Sequence, residues 1–121
     1  MKKLPYKKIF FNAFFAAILY GIWTYFANDI GAMKSAFTQA TLSFTLTYFV
    51  AFYLELLNQK AKTLKIVIIS VMILLLFLVI VQVSIHFLMN TENILKTVTP
   101  SLMIGAIYIV LYILHLNKKS L

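Results

Sequence analysis

The chain has 121 residues, 63% of them hydrophobic and only 12% charged, against roughly 25% charged in soluble domains, so it cannot clothe itself in water and its solvent is lipid. Its formal charge of +8 comes from lysine alone. The lack of arginine, the usual bidentate reader of bases, together with lysines clustered at segment ends, excludes nucleic acid as a partner, and the lack of cysteine excludes disulfides, thiolate metal sites and catalytic thiols.

Met1–Lys8 is a basic leader in which Pro5 delays the helix. The first span is expected at about Ile9–Ala27. It is longer than the roughly 7–15 apolar residues of a signal peptide and ends without a small-x-small cleavage site, so it is read as retained. Trp23, Tyr25 and Phe26 form an aromatic belt at its end. Ala13, Ala17 and Gly21 recur every four residues, a small-residue face that lets another helix approach. A short turn, Asn28–Lys34, pivots on Gly31.

The second span, about Ser35–Leu57, is preceded by Ala32 and carries Ala36 and Ala40 at the same spacing, a mate for the first. It holds two polar lines, Thr38–Thr41–Thr45 and Gln39–Ser43–Thr47, on nearly opposite sides, and ends at Glu55. Hydrocarbon satisfies none of these groups, so the other spans should shield this helix. After the basic loop Asn58–Lys65, the third span, about Ile66–Met89, is the most lipid-like, interrupted by Ser70, Gln82, Ser84 and His86. Asn90–Thr99 is expected as a polar loop, with Thr99 capping a fourth span that starts at Pro100 and runs to about Leu116. Ser101, Gly105, Tyr108, Tyr112 and His115 then make one inward stripe, with Gly105 a helix-packing position.

The expected fold is all-α: one domain, a compact bundle of four transmembrane helices. Lysines crowd the leader, the middle loop and the tail, leaving only Lys34 and Lys96 elsewhere. The positive-inside rule therefore places both termini in the cytoplasm. Abundant Lys, Asn, Ile and Phe without Arg fits an AT-rich bacterial genome, and the expected location is the bacterial cytoplasmic (inner) membrane.

The candidate polar, ion or partner site comprises Glu55, Asn12, His115, Gln39, Thr45, Gln82 and His86. By depth, Asn12, Glu55, Ser70 and His115 lie toward the lysine-rich face, and Thr38, Gln39, Gln82, His86 and Ser101 toward the other. Glu55 is the lone acidic residue in a span. It reads either as a proton- or cation-linked carboxylate tuned by His115, or as an interfacial group paired with Lys60, Lys62 or Lys65. The latter is favoured because it lies within a turn of the helix end. His86 and His115 stand near opposite faces and cannot hold one haem within a protomer. The serines and threonines read as interhelical glue ahead of a polar path. No paired carboxylates, zinc-helix motif, nucleophile elbow or phosphate loop is present, so no cofactor, metal or enzymatic activity is expected.

Gly21-x-Trp23-x-x-x-Ala27-Asn28, then Gln39, Ser43-x-Thr45-x-Thr47 and Glu55, resemble a pattern in small four-span bacterial inner-membrane proteins. The resemblance covers the first half of the chain, and implies the architecture but no particular activity. The expected role is that of a non-enzymatic accessory or assembly subunit, in contact with the bilayer and with other membrane subunits or its own copies, and serving envelope or lipid biosynthesis. The alternative is a small oligomeric transporter or channel using the second span and Glu55. A lipid-modifying enzyme using Glu55 and His115 ranks third.

Overall fold

The computed structural model describes residues 6–60 and 62–118, with side chains through Leu114. Met1–Pro5, Lys119 and the His115 side chain lie outside the described residues. Four helices follow in order: α1 (Tyr6–Ala27), α2 (Ala32–Lys60), α3 (Leu64–Leu88) and α4 (Ile94–Lys118). All four are long and apolar enough to cross a membrane.

The side chains are distributed inside out. Large apolar groups face outward, among them Phe11, Phe15 and Phe26 on α1, Met72, Ile73 and Leu76 on α3, and Ile107 and Leu111 on α4. Polar Thr24, Gln39, His86 and Thr97 are completely enclosed. Lipid as the outer solvent produces this reversal, because a polar group is costly where nothing can hydrogen-bond it. α2 and α4 each approach all three other helices, whereas α1 and α3 occupy far corners. The lysine-rich half of the interior is an apolar core of Leu54, Leu57, Val67, Val71, Leu74, Leu78 and Ile109. The buried polar groups collect in the other half.

α1 and α2 are the most closely packed pair. A Cβ built on Gly21 would sit 3.4 Å from the Ala40 Cβ and 3.5 Å from the Ala36 carbonyl oxygen. Ala13 is fully buried, with Ala17, Ala36 and Ala40 half-buried. Gly105 differs from its expected packing role: a Cβ there would meet nothing within 4 Å. α4 is rotated from the expected stripe, so that Val98 and Ile109 are its most enclosed apolar positions and Tyr108 is exposed.

Three local devices set the helix ends. Gly31, at φ +66°, turns the chain into α2 and accepts the Ser35 N–H at 3.0 Å. Thr63 caps α3, its hydroxyl accepting from the Ile66 N–H at 3.3 Å. At the far end of α3, Asn90 adopts φ 59°. There the Thr91 N–H reaches the His86 carbonyl at 2.9 Å and the Asn90 N–H the Phe87 carbonyl at 3.2 Å, the paired bonds of a Schellman cap.

α4 begins at Ile94, six residues before Pro100, and not at the proline as the sequence suggests. A proline inside a helix removes one N–H and orphans the carbonyl four residues back, here that of Lys96. The indole N–H of Trp23 donates to that carbonyl at 2.8 Å. Thr99 in turn donates its hydroxyl to the Leu95 carbonyl at 2.5 Å and does not cap. The proline is tolerated because a neighbouring helix satisfies the group it frees.

Trp23→Phe should therefore cost about 0.5–1.5 kcal/mol, the net contribution of one intramolecular hydrogen bond, since Trp23 and Lys96 are both exposed. In a Pro100→Ala background the restored N–H can serve Lys96, and the cost should shrink by about 1 kcal/mol. Reversible unfolding in mixed micelles measures both; strict additivity would mean the indole contributes only its packing. Orientation has its own check. A periplasm-active reporter should be silent after Leu121 and active in a truncation ending at Asn93, and the opposite pattern would invert the bundle.

Candidate functional site

α2 and α3 bring Gln39, Ser43, Gln82 and His86 together in the lysine-poor half. The Gln39 Nε2 donates to Ser43 Oγ at 3.1 Å and to Gln82 Oε1 at 3.2 Å. This leaves Gln39 Oε1 as an acceptor 2.7 Å from His86 Nε2. The proton must then reside on Nε2, and Nδ1 accepts from the Thr91 hydroxyl at 2.7 Å. Ser35 completes the chain with its hydroxyl 3.4 Å from Thr91 Oγ1. The network fixes one neutral imidazole tautomer, and both ring nitrogens are engaged, so neither is free to ligate a metal or haem.

A second set joins the two turns at the same end. Asn28 Nδ2 donates to the Thr24 carbonyl at 3.0 Å and to Thr97 Oγ1 at 2.8 Å, while its Oδ1 accepts from the Asn93 N–H at 2.7 Å. Asn93 Nδ2 donates to the Ala27 carbonyl at 2.8 Å. The Glu92 carboxylate accepts from the Asp29 N–H at 2.9 Å and the Ile30 N–H at 3.4 Å. These bonds satisfy the last carbonyls of α1 and fasten it to the start of α4. Among the described residues, every buried side-chain nitrogen and oxygen has a partner.

Below this clasp, α1 and α4 flank a lateral cavity of about 320 Å³. Asn12, Ala16 and Tyr20 form one wall and Ser101, Gly105 and Tyr108 the other. Ser43, Thr47 and Val50 of α2, with Leu78 and Gln82 of α3, make the floor. Gly105 thus opens space in place of closing a helix contact.

The sequence candidates separate. Gln39, Gln82 and His86 form one network. Asn12 is exposed at the cavity wall. Thr45 is exposed, as is Thr41, while Thr38 bonds to the Lys34 carbonyl of its own helix at 2.8 Å. The first polar line of α2 therefore faces outward, and only the second faces the interior. Glu55 is half-buried at the lysine-rich end and accepts from Gln59 Nε2 at 3.1 Å, a partner on its own helix in place of the expected lysine. It does not line the cavity with Asn12. His115 lies outside the described side chains.

Sequence reasoning missed Thr91, Ser35, Asn28, Asn93 and Thr97. The four-residue spacing of Gln82 and His86 was a readable signal, but Thr91 joins them only through the left-handed turn at Asn90. Among the described residues no three His, Asp or Glu side chains converge as metal ligands. Comparison with protein-family models, with curated proteins and with solved structures returns no match, so what this membrane protein does has to be read from its own geometry.

Proposed function

We propose that this four-helix membrane protein is a non-enzymatic accessory or assembly subunit of a larger membrane complex, in the cytoplasmic membrane of a bacterium. The observation that carries this reading is the mutual satisfaction of its enclosed polar groups. Gln39, Gln82, His86 and Thr91 are consumed by one another, which leaves no free nucleophile, acid or base among them. The lysine-rich half is filled by Leu54, Val71 and Leu74, each no more than 3% exposed. A polar path along α2 would have to cross that apolar plug, at the cost of desolvating whatever it carried.

The transport alternative centres on Glu55 and supplies the test. Proteoliposomes holding the purified chain should show no flux driven by a pH gradient. Glu55→Gln keeps the shape of the half-buried side chain and an acceptor for Gln59, so it should change folding by no more than about 1 kcal/mol and should leave recovery unchanged. Mild solubilisation of the source membrane should place the chain in an assembly larger than any oligomer of its own 13.9 kDa. Reproducible pH-driven flux in the wild type, lost in Glu55→Gln, would overturn the accessory reading.

A further inference from the structure

The cavity between α1 and α4 opens where hydrocarbon surrounds the bundle, yet polar side chains that line it keep hydrogen-bond donors in reserve. Gln82 is 3% exposed and gives its Oε1 to Gln39, while its Nε2 finds no acceptor among the described residues. No enclosed side-chain nitrogen or oxygen among those residues lacks a partner, so this amide is not enclosed: it meets the cavity that Gln82 lines. Tyr20 stands in the same way. It is 9% exposed, lines the cavity, and its hydroxyl has no partner among the described residues. Half-buried Ser101 lines the opposite wall with its hydroxyl equally uncommitted among the described residues.

These donors come from different helices and share one depth. Tyr20 lies seven residues before the end of α1, Gln82 six before the end of α3 and Ser101 seven after the start of α4, each about 10 Å in from the lysine-poor end. Lipid tails accept no hydrogen bonds, and a donor left without an acceptor is costly there. The occupant must therefore bring an acceptor, and bring it uncharged. Among the described residues no Lys, His, Asp or Glu lines the cavity, so a phosphate or ammonium would enter hydrocarbon without a counter-charge. A phospholipid does not fit, because its phosphate follows its ester carbonyls at a distance of a few bonds. The occupant must also stop short of the lysine-poor end. One turn beyond the donors, Trp23 Nε1 bonds to the Lys96 carbonyl at 2.8 Å and Asn28 Nδ2 to Thr97 Oγ1 at 2.8 Å, closing α1 against α4. A spanning helix of another protein cannot run through that closure, whereas a lipid that enters sideways ends beneath it. Toward the lysine-rich end the floor offers Leu46, Val50 and Ile109 as a bed for its tail.

We propose that this cavity binds an uncharged lipid by its carbonyl oxygens, which accept from Gln82 Nε2 and from the Tyr20 and Ser101 hydroxyls while the tail lies over Leu46 and Val50. Long-tailed quinones and diacylglycerols both carry that chemistry. The tail is in hydrocarbon whether bound or free, so its burial discriminates little, and selectivity comes from the donors. The site belongs to the chain alone and does not rest on the accessory role.

The test uses the full chain in phosphatidylcholine nanodiscs and three probes at sub-saturating concentration: a long-tailed benzoquinone, a diacylglycerol and an alkylbenzene without carbonyls. Each carries a diazirine on the first carbons of its tail. After irradiation, crosslinks are mapped by mass spectrometry. At least one carbonyl probe should label the cavity lining around Leu46, Leu78 and Leu102 several times more densely than the outer face of α3 at Met72, Ile73 and Leu76, and the alkylbenzene should show no such preference. Whichever carbonyl probe does so names the source. Tyr20→Phe removes a hydroxyl that bonds to nothing else among the described residues, so the variant should fold as the wild type does. It should nevertheless lower cavity labelling about fivefold, the factor that about 1 kcal/mol represents, one hydrogen bond. The proposal is overturned if neither carbonyl probe prefers the cavity, if the alkylbenzene labels it as densely, or if Tyr20→Phe leaves the labelling unchanged. Water or a second protein as the occupant would produce the first of these results. The wild-type crosslink map needs no variant to fold.

Discussion

Replacing Gln39 with leucine should destabilise the bundle by about 2–4 kcal/mol, the largest effect expected of any single polar substitution in this protein. Gln39 makes three bonds, to His86, Ser43 and Gln82. Its removal leaves the His86 Nε2–H without an acceptor and the Gln82 Oε1 without a donor, at about 1–3 kcal/mol for each buried orphan. Single interhelical hydrogen bonds in membranes average nearer 0.6 kcal/mol, because a chain unfolded in lipid also finds partners. The larger figure holds here because two groups are stranded together in a fully enclosed site. Removing the imidazole as well, in Gln39→Leu with His86→Leu, should recover at least about 1 kcal/mol of the sum of the two single costs, since replacing both partners by apolar groups leaves fewer orphans. A double-mutant cycle by reversible unfolding in mixed micelles measures the coupling. Costs that simply add would show that His86 and Gln39 do not act on one another.

Gly21→Leu should cost about 3 kcal/mol and loosen α1 from α2. The position has room for one methyl group at most, with Ala40 Cβ at 3.4 Å and the Ala36 carbonyl at 3.5 Å from an added Cβ. Gly21→Ala should then change stability by less than about 1 kcal/mol, while leucine must push the helices apart and forfeit their close packing. The control is Met72→Ala, on a side chain 63% exposed to the bilayer, expected to change stability by no more than about 0.5 kcal/mol. Leu75 would be a poor control, since it packs partly against the apolar core. Equal tolerance at Gly21 and Met72 would mean that the α1–α2 seam is not held by close approach.

The architecture was legible in the sequence because the constraints behind it are local. A helix needs about 20 apolar residues to cross hydrocarbon, and each of the four runs meets that length without reference to any other. The small-residue faces were legible for the same reason, since a four-residue spacing marks one side of a helix whatever it meets. Even Gln39, Gln82 and His86 could be assigned to one depth by counting along their spans.

The tertiary structure decided what depends on a partner far along the chain. Pro100 reads locally as a helix start, but α4 passes through it because Trp23, 73 residues before Lys96, supplies the missing donor. The two polar lines of α2 are equivalent in sequence, and only the positions of α3 and α1 turn Gln39 and Ser43 inward and leave Thr41 and Thr45 outside. The rotation of α4 about its axis made Gly105 part of a cavity wall and not of a helix contact. Composition and spacing set what each helix can bury, because desolvation acts on every residue separately. Which groups meet is a property of pairs, fixed only when packing and hydrogen-bond satisfaction across the whole bundle are settled together.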